Sequence, residues 1–123
     1  MILLVEEEAP VRAFGSRALQ MRGYQVMEAD CAEAALQCLE NCDYQVDLVF
    51  SDVVMPGIDG PTWVREARKT RSDLPVVFVS GYAEDVFRKS KEEVGADRFL
   101  SKPFSLDQLS TEVKAALDAQ KPN

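Results

Sequence analysis

A parallel β-sheet covered by helices on both faces is predicted by three observations. Apolar runs of strand length alternate with helical patterns along all 123 residues. The runs lack the polar alternation of a half-exposed strand, as expected where both faces are covered. Five βα units in this length leave no room for a linker, so residues 1–123 read as a single α/β domain.

Strands are expected at about 2–5, 25–28, 47–51, 75–79 and 97–100. Val11, Phe14, Ala18 and Met21 recur at helical spacing after the first run, with Pro10 suited to a first turn and Gly23 to a stop. Ala32, Ala35, Leu36 and Leu39 mark the second helix, and Asp30 with Glu33 reads as a capping box before it. Val64 and Ala67 mark a shorter helix after Gly60-Pro61. The segment 84–93 carries only Val86 and Phe87 as apolar anchors and is the weakest helix. Leu106, Leu109, Val113, Ala116 and Leu117 form the clearest stripe, with Ser105 as its N-cap.

Composition excludes several classes. An apolar content of 46% argues against disorder. No apolar run approaches the ~20 residues of a membrane span, and no signal peptide is visible. The net charge of −7 speaks against direct nucleic-acid binding, which wants a basic face. Cys31, Cys38 and Cys42, an odd number without a secretion signal, point to reduced thiols in a cytoplasmic compartment and to small packing residues rather than zinc ligands. The chain has no histidine, so histidine bases, Ser-His-Asp catalysis and a phosphohistidine donor are excluded.

Four of the runs end on polar residues. The first leads into Glu6-Glu7, the third into Asp52, the fourth into Ser80 and the fifth into Lys102. In an open parallel sheet these ends line one crevice. A carboxylate there can attack a phosphoryl group and form an acyl phosphate. Glu6 and Glu7 suit a hard cation such as Mg²⁺, Lys102 a second positive charge, and Ser80 a hydrogen bond to the phosphoryl oxygens. Pro56-Gly57 turns the chain so that backbone can approach a ligand. Singly, each residue has a plainer reading: a solvated helix start, a turn residue, a cap, a surface cation. In combination they favour phosphoryl transfer.

These residues carry a resemblance. Leu4-Val5-Glu6-Glu7-Glu8, Ser51-Asp52-Val53-Val54-Met55-Pro56-Gly57-Ile58-Asp59-Gly60, Val79-Ser80-Gly81 and Lys102-Pro103-Phe104 resemble the motifs of response-regulator receiver domains along nearly the whole chain. The resemblance implies a flavodoxin-like, doubly wound five-stranded sheet in order 2-1-3-4-5 with five helices. It implies Asp52 as phospho-acceptor, Glu6 and Glu7 in the acidic pocket, and Mg²⁺ held also by the backbone carbonyl of Val54. Ser80 becomes the switch hydroxyl, Phe99 the switch aromatic and Lys102 the phosphate-binding lysine, with a cis bond between Lys102 and Pro103.

A narrower similarity lies in Glu8-Ala9-Pro10-Val11-Arg12-Ala13-Phe14, Gly60-Pro61-Thr62-Trp63-Val64 and Phe78-Val79-Ser80-Gly81-Tyr82-Ala83-Glu84-Asp85. These resemble the C-terminal receivers of hybrid histidine kinases of the alphaproteobacterial cell cycle. Such a receiver takes phosphate from a histidine kinase domain and passes it to a histidine phosphotransferase. It is cytoplasmic, tethered to the inner membrane through a larger kinase, with no membrane contact of its own. The second acidic position is usually aspartate in the family and is Glu7 here, one methylene longer.

Three rivals remain to be weighed. A haloacid dehalogenase-type phosphohydrolase wants a second acidic residue where Val54 stands. A flavin mononucleotide binder wants small residues and free N–H groups where Glu6-Glu7-Glu8 stand. A receiver that binds partners without phosphorylation is left open by Glu7.

Overall fold

The computed structural model describes residues 1–81 and 97–119. The strands are β1 (Ile2–Val5), β2 (Val26–Ala29), β3 (Leu48–Asp52), β4 (Val76–Ser80) and β5 (Arg98–Ser101). The described helices are α1 (Ala9–Met21), α2 (Ala32–Asn41), α3 (Gly60–Ala67) and α4 (Leu106–Asp118). The strands form one sheet in order β2-β1-β3-β4-β5, with every pairing parallel. The expected helix at 84–93 lies outside the described residues, as does Tyr82.

Strand alternation divides the core in two. Ile2, Leu4, Leu48, Phe50, Val77 and Val79 face α1 and α4 and pack with Leu19, Leu109 and Val113. Leu3, Val5, Val49, Val53, Val76 and Phe78 face α2 and α3 and pack with Leu39, Trp63 and Val64. The central strands β1, β3 and β4 are buried along their whole length because each face has its own helical layer, whereas the edge strands β2 and β5 expose Glu28, Arg98 and Ser101.

Three expectations change. The last four strands each run one residue further than their apolar runs, so Asp52 and Ser80 are strand residues. Backbone hydrogen bonding continues past the last apolar side chain there: Val53 N–H donates to Val79 O (2.8 Å) and Lys102 N–H to Ser80 O (2.7 Å). Phe14 and Met21 are 49% and 68% exposed; α1 buries Ala18, as its stripe predicts, together with Gly15, Ser16 and Leu19. A Cβ at Gly15 would stand 3.4 Å from Leu4 Cδ2, so a bare Cα lets α1 lie close to the sheet. The capping box at Asp30 does not form, because Cys31 is the N-cap of α2. The box at the head of α4 does form: Gln108 N–H donates to Ser105 Oγ, and Ser105 N–H to Gln108 Oε1. Cys38 and Cys42 pack half-buried against the α2/α3 core.

Candidate functional site

The carboxyl end of the sheet gathers three of the polar strand-end residues. Asp52 closes β3, 5% exposed, and Glu6 follows β1, 4% exposed. Lys102 follows β5, its cis peptide bond to Pro103 in place. Its ammonium pairs with Glu6 Oε1, lies 3.1 Å from Asp52 Oδ2, and stands 3.9 Å from Glu8 Oε1. Lys102 is thus confronted by two buried carboxylates.

Neighbouring elements hold these groups in place. Glu6 N–H donates to Ala29 O at 3.0 Å, anchoring the end of β1 to β2. From α1, Arg12 Nη1 donates to the carbonyls of Glu6 (2.7 Å) and Glu7 (3.4 Å), and its Nε lies 3.6 Å from Glu28 Oε1. Arg12 was not apparent as a site residue in the sequence, since its reach back across the β1–α1 turn follows no helical period. Gly57 has φ of +79°, a conformation that suits glycine in the loop after Asp52. Ser80 is fully buried at the end of β4. Phe99 is half-buried and packs against the α2/α3 core.

Two negative charges beside one positive charge leave an imbalance. Burial, then hydrogen bonding and repulsion from Glu6, push the Asp52 carboxyl up to about 8, against the lowering influence of Lys102. Burial acts to lower the Lys102 ammonium, but the Glu6 and Asp52 carboxylates outweigh it and hold its pKa above the usual lysine value. Glu6 Oε2 is buried with no hydrogen-bond partner among the described residues.

Hard oxygen donors in negative excess, one of them unpartnered, fit a divalent cation of the Mg²⁺ type. The remaining expected ligands are placed differently. Glu7 is exposed, and among the described residues no group of three or more acidic or thiol side chains gathers at metal-binding spacing. Val54 is 53% exposed in the loop after Asp52, where only its backbone could serve.

Comparison with known proteins agrees with this geometry. The family model for the response regulator receiver domain matches residues 2–114. The sensor kinase CckA of Brucella abortus is 53% identical over 119 residues, covering 97% of this chain and 13% of that protein. The regulator KdpE of Escherichia coli is 34% identical, over 94% of this chain and 50% of its own length. The chain therefore spans about half or less of these curated relatives. Among solved structures, the receiver domain of the hybrid histidine kinase CckA matches with TM-score 0.79 at 41% identity, covering 94% of this chain and 97% of that one. The receiver domain of NtrX from Brucella abortus matches with TM-score 0.84 at 30% identity, covering 98% and 100%. No described helix is long and apolar enough to cross a membrane. With sequence, fold and strand-end chemistry in agreement, this chain belongs to the response regulator receiver domain family.

Proposed function

We propose that residues 1–123 form one receiver domain that accepts a phosphoryl group from a phosphohistidine onto Asp52 and relays it to a histidine phosphotransferase. The single observation that carries this reading is the buried triad, in which Lys102 Nζ lies 3.1 Å from Asp52 Oδ2 while pairing with Glu6. An Asp52 carboxylate oxygen attacks phosphorus, the N–P bond of the donor imidazole breaks, and the electron pair returns to that nitrogen. Lys102 turns from Asp52 toward a phosphoryl oxygen, and the Ser80 hydroxyl donates to another. Glu6, Glu7, Asp52 and the backbone carbonyl of Val54 would hold Mg²⁺, which would supply positive charge to the phosphoryl oxygens. In the reverse step the acyl phosphate is attacked by a phosphotransferase histidine.

Phosphorylation adds about −1.5 to −2 charges at this point. Drawing Ser80 toward the phosphoryl group makes room for Phe99 to turn inward, a shift between two packings. The domain works in the cytoplasm, joined to the membrane through a larger kinase, with its partners proteins rather than nucleic acid. The 53% identity to a sensor kinase, of which this chain spans 13%, supports the link to a larger kinase.

Intact mass after incubation with Mg²⁺ and a small acyl-phosphate donor tests the reading. One phosphoryl adduct on the parent and none on Asp52→Asn is expected. A parent that takes no phosphate from either this donor or a phosphohistidine protein would favour a phosphorylation-independent binding module. The exposure of Glu7 is the observation that supports that second reading.

A further inference from the structure

Behind the phosphoacceptor, on the face of the sheet away from its carboxylate, lies a buried polar pair. Trp63 is the only tryptophan of the chain, and both it and Ser51 are 0% exposed. Trp63 Nε1 donates to Ser51 Oγ at 3.0 Å, and Ser51 Oγ donates to Asp52 O at 2.9 Å. An indole N–H can only donate, so the serine hydroxyl must accept from it and spend its own proton on the carbonyl. The direction of both bonds is therefore set.

The same carbonyl is confined from a second side. A Cβ on Gly60 would collide with Asp52 O and stand 3.0 Å from Val53 Cα. Gly60 N–H donates to Val53 O at 2.8 Å, and Asp59 Oδ1 caps the helix by accepting from Thr62 N–H at 2.9 Å. The first turn of α3 is thus seated on the peptide units of Asp52 and Val53. These units determine where the next carbonyl, that of Val54, can point.

We propose that Trp63 and Ser51 are positioning residues for the phosphoacceptor loop, holding the Asp52–Val53 backbone so that the Asp52 carboxylate and the Val54 carbonyl meet cation and phosphoryl group together. This rests on the reading of Asp52 as acceptor. Neither side chain touches the reacting atoms, and both act through the backbone. A loose loop would misplace two oxygens at once, and misplacement of about 1 Å can slow a reaction on the order of 100-fold.

The test combines Trp63→Phe, Ser51→Ala, Ser51→Thr and the Trp63→Phe/Ser51→Ala double variant. Mg²⁺ titration is followed by the amide signals of Asp52, Val53 and Val54, and phosphoryl uptake from acetyl phosphate by intact mass. Folded fractions are matched by denaturant melts. Trp63→Phe and Ser51→Ala should each weaken Mg²⁺ binding and slow uptake by about fivefold to tenfold. The double variant should be no worse than either single one, and Ser51→Thr should remain close to the parent. In the parent and Ser51→Thr, Mg²⁺ should shift Trp63 emission; in Ser51→Ala that shift should vanish. Variants that lose stability but keep the parent's Mg²⁺ affinity and uptake rate would overturn the positioning role while leaving Asp52 as acceptor. A parent that neither binds Mg²⁺ nor takes phosphate would overturn both.

Discussion

The two ends of the sheet handle charge in opposite ways: the amino end pairs partly exposed groups, the carboxyl end a buried cluster. At the amino end, cations are matched to acceptors. Arg68 makes a two-pronged pair with Asp97 at 2.7 and 2.8 Å and donates to Leu74 O at 2.7 Å. Arg71 donates to the carbonyls of Tyr44 (3.0 Å) and Val46 and to Asp73 at 3.2 Å. At the carboxyl end, one ammonium faces Glu6 and Asp52, and one carboxylate oxygen of Glu6 has no partner among the described residues. Balanced charge ties loops to strands; unbalanced charge leaves capacity that the proposed cation and phosphoryl group would fill. What separates a structural cluster from a reactive one here is the unfilled hydrogen-bonding and charge capacity, not the number of charges.

The strongest way to break this contrast is to remove one cation from each end. Lys102→Met should lower phosphoryl uptake about 100-fold or more. It should also cost about 2–3 kcal/mol of stability, because Glu6 keeps a buried carboxylate with no ammonium beside it. Arg68→Met should leave uptake unchanged, yet cost about 2–3 kcal/mol by stranding the Asp97 carboxylate and the Leu74 carbonyl. Denaturant melts and uptake assays on both variants decide the matter. Equal effects of the two substitutions on uptake would show that the ends do not differ in function.

The imbalance also predicts how stability depends on pH. The Asp52 carboxyl is raised from 3.8 to about 8 in the folded metal-free protein, so the folded state holds this proton more tightly than the unfolded chain. Its contribution is complete below about 4 and is lost as pH rises through 8. Asp52→Asn removes the titration. Without metal the variant should melt on the order of 5 °C above the parent at pH 8, and the gap should close toward pH 4. Mg²⁺ should raise the melting temperature of the parent more than that of the variant. Parallel melting curves for both proteins across this range would show that the carboxylate pair is not strained.

Much of the carboxyl end is legible in the sequence, because runs such as 47–51 and 75–79 stop at a polar residue that the sheet brings to its rim. Sheet order came from family resemblance, since apolar runs alone do not say which strands are neighbours. What escaped was chemistry set by tertiary contact. Ser51 reads as one more strand residue and Trp63 as core, and only packing reveals their hydrogen bond. Phe14 and Met21 read as part of the buried stripe of α1 because both are bulky and stand at helical spacing. The face that packs is the narrower one, with Gly15 and Ala18. Asp30 could not cap α2 because the N-cap position falls one residue later, on Cys31, and the helix begins at Ala32.

Two smaller effects sharpen the comparison further. Glu7 is exposed, and its extra methylene makes near-octahedral Mg²⁺ geometry harder to reach. Glu7→Asp should therefore tighten Mg²⁺ binding by about threefold, on the order of 0.7 kcal/mol. Equal affinity in a metal titration would mean that the loop already accommodates the longer side chain. At the amino end, Asp43 and Tyr44 precede β3 with φ of 55° and 59°, a left-handed conformation that costs most residues energy. Asp43→Gly relieves part of that strain but frees the unfolded chain, so the gain should be only about 0.5 kcal/mol in a denaturant melt. Phosphoryl uptake should not change, because this turn meets the sheet at the end where the charges are already matched. A change in uptake with Asp43→Gly would mean that strain at one end of β3 is felt at Asp52 on the other, making the strand itself the link between the two ends.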